Sequence, residues 1–224
     1  MCSRTYIAML FSHIYEVLSM KKTMLATALL LGLVGTSNAN ENFTGWYVGG
    51  ELSSTKHSFS VPYSELGYSS INGKFSTNGS RAFGIGVFGG YGFDFLGDFV
   101  GQAELKLRTG GSSTKNELGE TVSKEVLHLS LAYLQGYRIN NIMPYIKIGV
   151  GGSSFDMNED AIPMTSDRTL VNSGALGFGY GVGVKYAFNP NLEAGVEYYK
   201  ASLSGENSLK FKTDTFSLGV NYRF

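Results

Sequence analysis

From Gly45 to the end, the chain repeats one pattern: short stretches in which apolar side chains alternate with glycine, small or charged ones. A period of two is the signature of a β-strand, because successive side chains point to opposite faces. Phe99 to Arg108 is the clearest case, with Phe99, Gly101, Ala103, Leu105 and Leu107 on one face and Val100, Gln102, Glu104, Lys106 and Arg108 on the other. Gly45 to Ser53 alternates Trp46, Val48 and Leu52 with Tyr47, Gly49 and Glu51, and Ala82 to Phe93 alternates Phe83, Ile85, Val87, Tyr91 and Phe93 with Gly84, Gly86, Phe88, Gly90 and Gly92. In Glu125 to Arg138, Leu127, Leu129, Leu131, Tyr133 and Tyr137 oppose His128, Ser130, Ala132, Gly136 and Arg138. Met143 to Gly152 sets Ile146, Ile148 and Val150 against Tyr145, Lys147 and Gly149, and Gly174 to Phe188 sets seven apolar residues against small ones and Lys185. Leu192 to Ala201 opposes Leu192, Ala194, Val196 and Tyr198 to Glu193, Glu197 and Tyr199; Thr213 to Phe224 opposes Phe216, Leu218, Val220, Tyr222 and Phe224 to Thr215, Ser217, Gly219, Asn221 and Arg223.

Eight such segments predict an all-β fold, an eight-stranded antiparallel up-and-down barrel. Which face meets which solvent is decided by what flanks the apolar positions. Aromatic residues recur near the ends of the apolar faces, as they do at the two water interfaces of a membrane, while glycines crowd the opposite face and suit a narrow lumen. The connections also alternate in length. Ser54–Arg81, Thr109–Lys124 and Ser153–Ser173 are long and Ser202–Lys212 is moderate; Asp94–Asp98, Ile139–Ile142 and Asn189–Asn191 are short. Long extracellular loops and short periplasmic turns are expected of a transmembrane barrel, and an even strand count leaves both chain ends on the periplasmic side.

Composition agrees. Of 224 residues only 16% are charged and 30 are glycine, against roughly 25% charged and 7% glycine in soluble domains. Glycine at this density disfavours a helical bundle, and the abundance of aromatics excludes disorder. A balanced formal charge gives no electrostatic footprint for nucleic acid.

The N-terminal region predicts export. Lys21-Lys22, the apolar run Met24 to Val34 and the small-residue ending Ser37-Asn38-Ala39 have the layout of a secretory signal peptide, placing cleavage between Ala39 and Asn40. On this reading residues 1–19 are a misassigned extension, 20–39 the signal peptide and 40–224 the barrel domain. Cys2 is the single cysteine, so the mature chain has no disulfide or thiolate site. Removing Arg4, Lys21, Lys22 and Glu16 from the 18 basic and 18 acidic residues leaves the mature part at net −2.

The ending Phe216-x-Leu218-x-Val220-x-Tyr222-x-Phe224 resembles the terminal signal of bacterial outer-membrane barrels. Gly45-Trp46-Tyr47-Val48-Gly49-Gly50 resembles the first strand of the opacity-type, OmpA/OmpX-like family of small barrels. The resemblance implies a monomer in the bacterial outer membrane, in contact with lipid and lipopolysaccharide and assembled by the barrel-assembly machinery reading the C-terminal strand. A further domain of the kind that follows the barrel in full-length OmpA is not expected after the eighth strand.

Chemistry is sparse on the predicted inner face. Glu51, Glu104, Glu193 and Glu197 share it with Lys106, Arg108, Arg138, Lys147, Lys185 and Arg223. Buried ions require partners, so these residues are expected to form a salt-bridge network. In a lumen only wide enough for side chains, such a network reads as a plug, the alternative being a charged ion path.

His128-Leu129-Ser130 is similar to the His-x-Ser strand of the PagL-type lipid A deacylases, which implies a nucleophile with its base. Leu131 stands where those enzymes have Asn, and Ile142 where they have a carboxylate. Gly84-Ile85-Gly86-Val87-Phe88-Gly89 has dinucleotide spacing, but it lies inside a strand with no helix following, which excludes that site. No cofactor or metal is expected. In the first long loop, Phe59, Tyr63, Tyr68 and Phe75 among Ser, Asn and Gly suit adaptable recognition of host or matrix proteins. Asp156, Glu159, Asp160 and Asp167 make the third long loop acidic.

The expectation is therefore a non-enzymatic outer-membrane barrel serving surface integrity and loop-mediated adhesion. The alternatives are a narrow porin-like channel and a lipid A-modifying enzyme using His128 and Ser130.

Overall fold

A computed structural model of the chain describes residues 42–66, 72–110, 112–115, 119–158, 173–205 and 209–224. The expected extension, signal peptide and cleavage point at Ala39 and Asn40 lie outside the described residues.

Ten strands and one short 3-10 turn account for most of these residues: β1 (Gly45–Pro62), β2 (Lys74–Asn78), β3 (Ala82–Leu96), β4 (Phe99–Thr109), β5 (Ser113–Lys115), β6 (Thr121–Tyr137), β7 (Ile142–Met157), β8 (Ser173–Ala187), β9 (Leu192–Gly205) and β10 (Lys210–Arg223). Eight are long. They pair antiparallel in chain order, and β10 returns to β1 over the register Tyr47↔Arg223 to Ser60↔Lys210, closing an eight-stranded barrel. Closure removes every free edge, which lipid would leave unsatisfied. The short strands continue the interrupted ones: β2 pairs with the upper part of β1, β5 with the start of β6, and a Gly79↔Thr114 bridge joins the two.

Alternation places the apolar faces outward. Leu52, Ile85, Leu105, Leu131, Ile148, Val182 and Leu218 are all exposed on the wall. Aromatics bound this band at the turn end, where Trp46 lies against Tyr91 and Phe99 against Tyr137, with Tyr186 and Phe188 beside them. Phe83, Phe178, Tyr198 and Phe216 bound it at the other end. Phe178 and Phe188 are ten residues apart along β8 and its end, roughly 33 Å of strand, or about 25 Å along the membrane normal at ordinary tilt. That matches the apolar band of a bacterial barrel. The short turns behave as their residues predict. Asn140, in the turn between β6 and β7, has a φ of 54°, a left-handed conformation that Asn tolerates.

The long loops are shorter than the sequence reading expects, because the wall continues past the lipid. β1 runs to Pro62 instead of Ser53, β7 to Met157 and β9 to Gly205, while β6 begins at Thr121 and β10 at Lys210. In these extensions the alternation persists but its sense reverses. On β1, Ser58 and Ser60 face out while Phe59 and Val61 are buried inside; on β10, Lys210 and Lys212 face out and Phe211 is buried. On β9, Ser202 and Ser204 face out and Leu203 is buried. A wall surrounded by lipid is apolar outside, and one surrounded by water is apolar inside; β1, β9 and β10 cross from one regime to the other.

Candidate functional site

The lumen holds the concentrated chemistry, and it is layered. At its centre, Lys106 Nζ lies 2.6 Å from Glu51 Oε2 and 3.1 Å from Glu197 Oε1. Lys147 Nζ lies 2.8 Å from Glu104 Oε1 and 3.0 Å from Glu197 Oε2. These pairs join β4, β7 and β9 across the interior. Tyr47 donates to Glu104 at 3.1 Å and Tyr145 to Glu197 at 2.9 Å. Lys185 donates to Gln102 Oε1 at 2.6 Å, and its ammonium stands 4.5 Å from the centre of the Tyr47 ring. Towards the turn end, Arg223 grips Glu193 with two nitrogens, Nε at 2.5 Å and Nη2 at 3.0 Å, and Asn221 donates to the same carboxylate.

Among the described residues the buried interior carries five carboxylates (Glu51, Glu104, Glu125, Glu193, Glu197) and five cations (Lys106, Arg108, Lys147, Lys185, Arg223). The two signs balance, so no net interior charge selects an ion. A cavity of about 30 Å³ remains among Glu51, Phe88, Lys106, Lys185 and Glu197, room for about one water.

Apolar side chains close both ends of this polar core. At the loop end Phe59, Val61, Val122, Phe155, Ala175, Leu203, Leu209 and Phe211 pack into one buried cluster. At the turn end Phe43, Val100, Leu134, Met143 and Ala187 form a second. Phe43 is fully buried at a φ of 74°, uncommon for a bulky residue, and its carbonyl accepts from Gln102 Nε2 at 2.9 Å.

Nine of the ten expected lumen charges lie buried inside the barrel; the tenth does not. Arg138 sits at the rim, 3.3 Å from the half-exposed Asp94 and donating to the Asn42 carbonyl, which corrects its place in the network. Conversely, Glu125 is buried where strict alternation would turn it outward. A register shift between Glu125 and Leu127 adds one residue to β6 and flips the strand's phase above it. No local sequence signal marks that bulge.

The His128–Ser130 pairing is also corrected. His128 Nδ1 meets the Ser153 hydroxyl at 2.8 Å, and Ser153 donates to Glu125 Oε1 at 2.8 Å. The serine therefore stands between histidine and carboxylate and gives its only proton to the carboxylate. A nucleophile needs the reverse order, with the imidazole accepting the serine proton and the carboxylate on its other nitrogen. All three side chains are buried in the lumen, away from lipid.

Among the described residues, the expected recognition aromatics of the first loop pack into or against the interior instead. Phe59 is fully buried on β1, and Tyr63 and Phe75 pack against the loop-end cluster. Tyr68 lies outside the described residues, as do Glu159, Asp160 and Asp167; Asp156 is exposed on β7 opposite Lys124. Of the C-terminal pattern, Phe216, Leu218, Val220 and Tyr222 face outward on β10, and Phe224 follows its last residue.

Comparison with known proteins places this geometry. The family model described as outer membrane protein beta-barrel domain matches residues 26–224. The solved structure of Neisserial surface protein A aligns over 82% of this chain and all of that one, at 18% identity and a TM-score of 0.52. OprG from Pseudomonas aeruginosa aligns over 82% of this chain and 97% of its own, at 17% identity and TM-score 0.47. Ail of Yersinia pestis aligns over 81% and 100%, at 15% identity and TM-score 0.40. At such identities the likeness is one of fold. No curated protein matches by sequence.

Proposed function

The chain belongs to the outer membrane protein β-barrel family, a bacterial outer-membrane fold, and from that premise we propose that it is a sealed, non-enzymatic barrel. Its work is to reinforce the outer membrane and to hold its extracellular tips for contact with other surfaces. One observation carries this reading: the ion-paired middle of the lumen lies between two buried apolar clusters. A solute path would have to separate both clusters and break paired charges between them, each costing several kcal/mol. What remains available to other molecules is the outside. The water-facing extension of the wall supports the adhesive part, since it gives the tips a rigid base above the lipid.

On this reading the protein matures by loss of residues up to Ala39, sits as a monomer among lipid and lipopolysaccharide, and is assembled through its C-terminal strand. The extracellular tips are the surface for host or matrix proteins. The test is deletion of the protein from its own cell, followed by paired adhesion and permeability assays. The reading expects weaker surface adhesion with small-solute uptake unchanged. A change confined to uptake overturns it in favour of the channel.

A further inference from the structure

The outer wall carries a feature that neither the seal nor the tips use. Directly above the aromatic row formed by Phe83, Phe216 and Tyr198, the outward positions of three neighbouring strands turn basic. β1 contributes Lys56, β9 contributes Lys200, and β10 contributes Lys212 and then Lys210. Arg81, just before β3, lies at the foot of this column and donates to the Ser54 carbonyl at 3.2 Å. The register also sets a hydroxyl on each side of the upper lysines: Ser58 and Ser202 flank Lys212, and Ser60 and Ser204 flank Lys210. All of these side chains lie on the outer surface. Asp214 is the acid within the column, 3.6 Å from Lys200 Nζ and opposite Lys56. It offsets one positive charge of five. On the far wall the signs cancel instead, with Lys124 on β6 paired across to Asp156 on β7.

Height decides what such a column meets. It begins one outward position above the aromatic row, roughly 7 Å along the strand, where acyl chains end and headgroups begin. In the outer leaflet of a bacterial outer membrane the headgroup carries phosphates on sugars. A column of lysines flanked by hydroxyls complements that chemistry in charge and in hydrogen bonding.

We propose that Lys56, Lys200, Lys210 and Lys212, with Arg81, bind the phosphorylated headgroup of lipid A along the β9–β10–β1 wall. The site fixes which side of the barrel holds lipopolysaccharide, and it does not depend on whether the lumen is sealed. The test is a native mass spectrometry titration of the folded, detergent-held protein with diphosphorylated lipid A and with the same lipid stripped of its phosphates. Retention of the diphosphorylated lipid is expected, with affinity falling roughly tenfold to a hundredfold in Lys56→Gln/Lys210→Gln/Lys212→Gln. Lys124→Gln, on the far wall, is expected to bind like the parent. Heat-dependent gel mobility verifies that both variants are folded. Equal affinity for the dephosphorylated lipid, or an equal loss in both variants, overturns the site.

Discussion

Phe155 on β7 and Phe211 on β10 lie face to face inside the barrel, with ring centroids 3.9 Å apart and planes within 7° of parallel. Their strands are not neighbours in the sheet, since β8 and β9 stand between them. The contact therefore spans the interior, within the apolar cluster at the loop end. Replacing Phe211 by Ala removes a fully buried ring and is expected to cost about 3–5 kcal/mol. Phe155→Ala is expected to cost about the same, and the two together less than their sum because they share one contact. Urea unfolding of the refolded barrel in vesicles, followed by Trp46 fluorescence, measures the cycle; strictly additive losses would deny the contact.

Glu197 is shared by Lys106, Lys147 and Tyr145. Glu197→Gln leaves two buried ammonium groups with fewer counter-charges, and a loss of about 3–5 kcal/mol follows. Asp94→Asn removes the half-exposed partner of Arg138 at the rim and is expected to cost about 1 kcal/mol or less. The same unfolding assay separates them, and similar costs for both would contradict the layered interior.

Tyrosines lie flat against glycines of β8. A methyl group at Gly179 would stand 2.1 Å from the Tyr199 hydroxyl oxygen, with the ring supplying the next nearest atoms. Gly179→Ala is expected to destabilise the barrel by about 1–3 kcal/mol through overpacking. The penalty should shrink in a Tyr199→Ala background. An unchanged penalty there would place the strain in the backbone instead.

Ser130 is buried in the lumen and is not the hydroxyl that His128 meets. Mass spectra of lipid A from cells bearing the parent protein and Ser130→Ala should therefore be identical. Acyl loss seen with the parent and abolished by Ser130→Ala would establish the enzyme.

Much of the fold was legible because one physical rule governs the lipid-embedded part of the wall. Leu105 and Leu107 face out, and Glu104, Lys106 and Arg108 face in, as period two requires. The rule failed where its assumptions changed. Above the membrane the solvent changes from lipid to water, so Phe59 and Phe211 turn inward and polar residues turn outward; the alternation was still present, but it looked like loop composition. At Glu125 a one-residue bulge shifted the phase, and bulges leave no composition of their own. Arg138 continues the inward parity of β6 but lies one residue past its end, where the rim offers Asp94. The partners of His128 depended on β7, twenty-five residues away, which no local spacing encodes.

Single-channel recording of the refolded protein in a planar bilayer decides whether the lumen is closed. A closed lumen gives a quiet baseline in the parent protein across the applied voltages. Steady, uniform conductance steps from the folded monomer would contradict it.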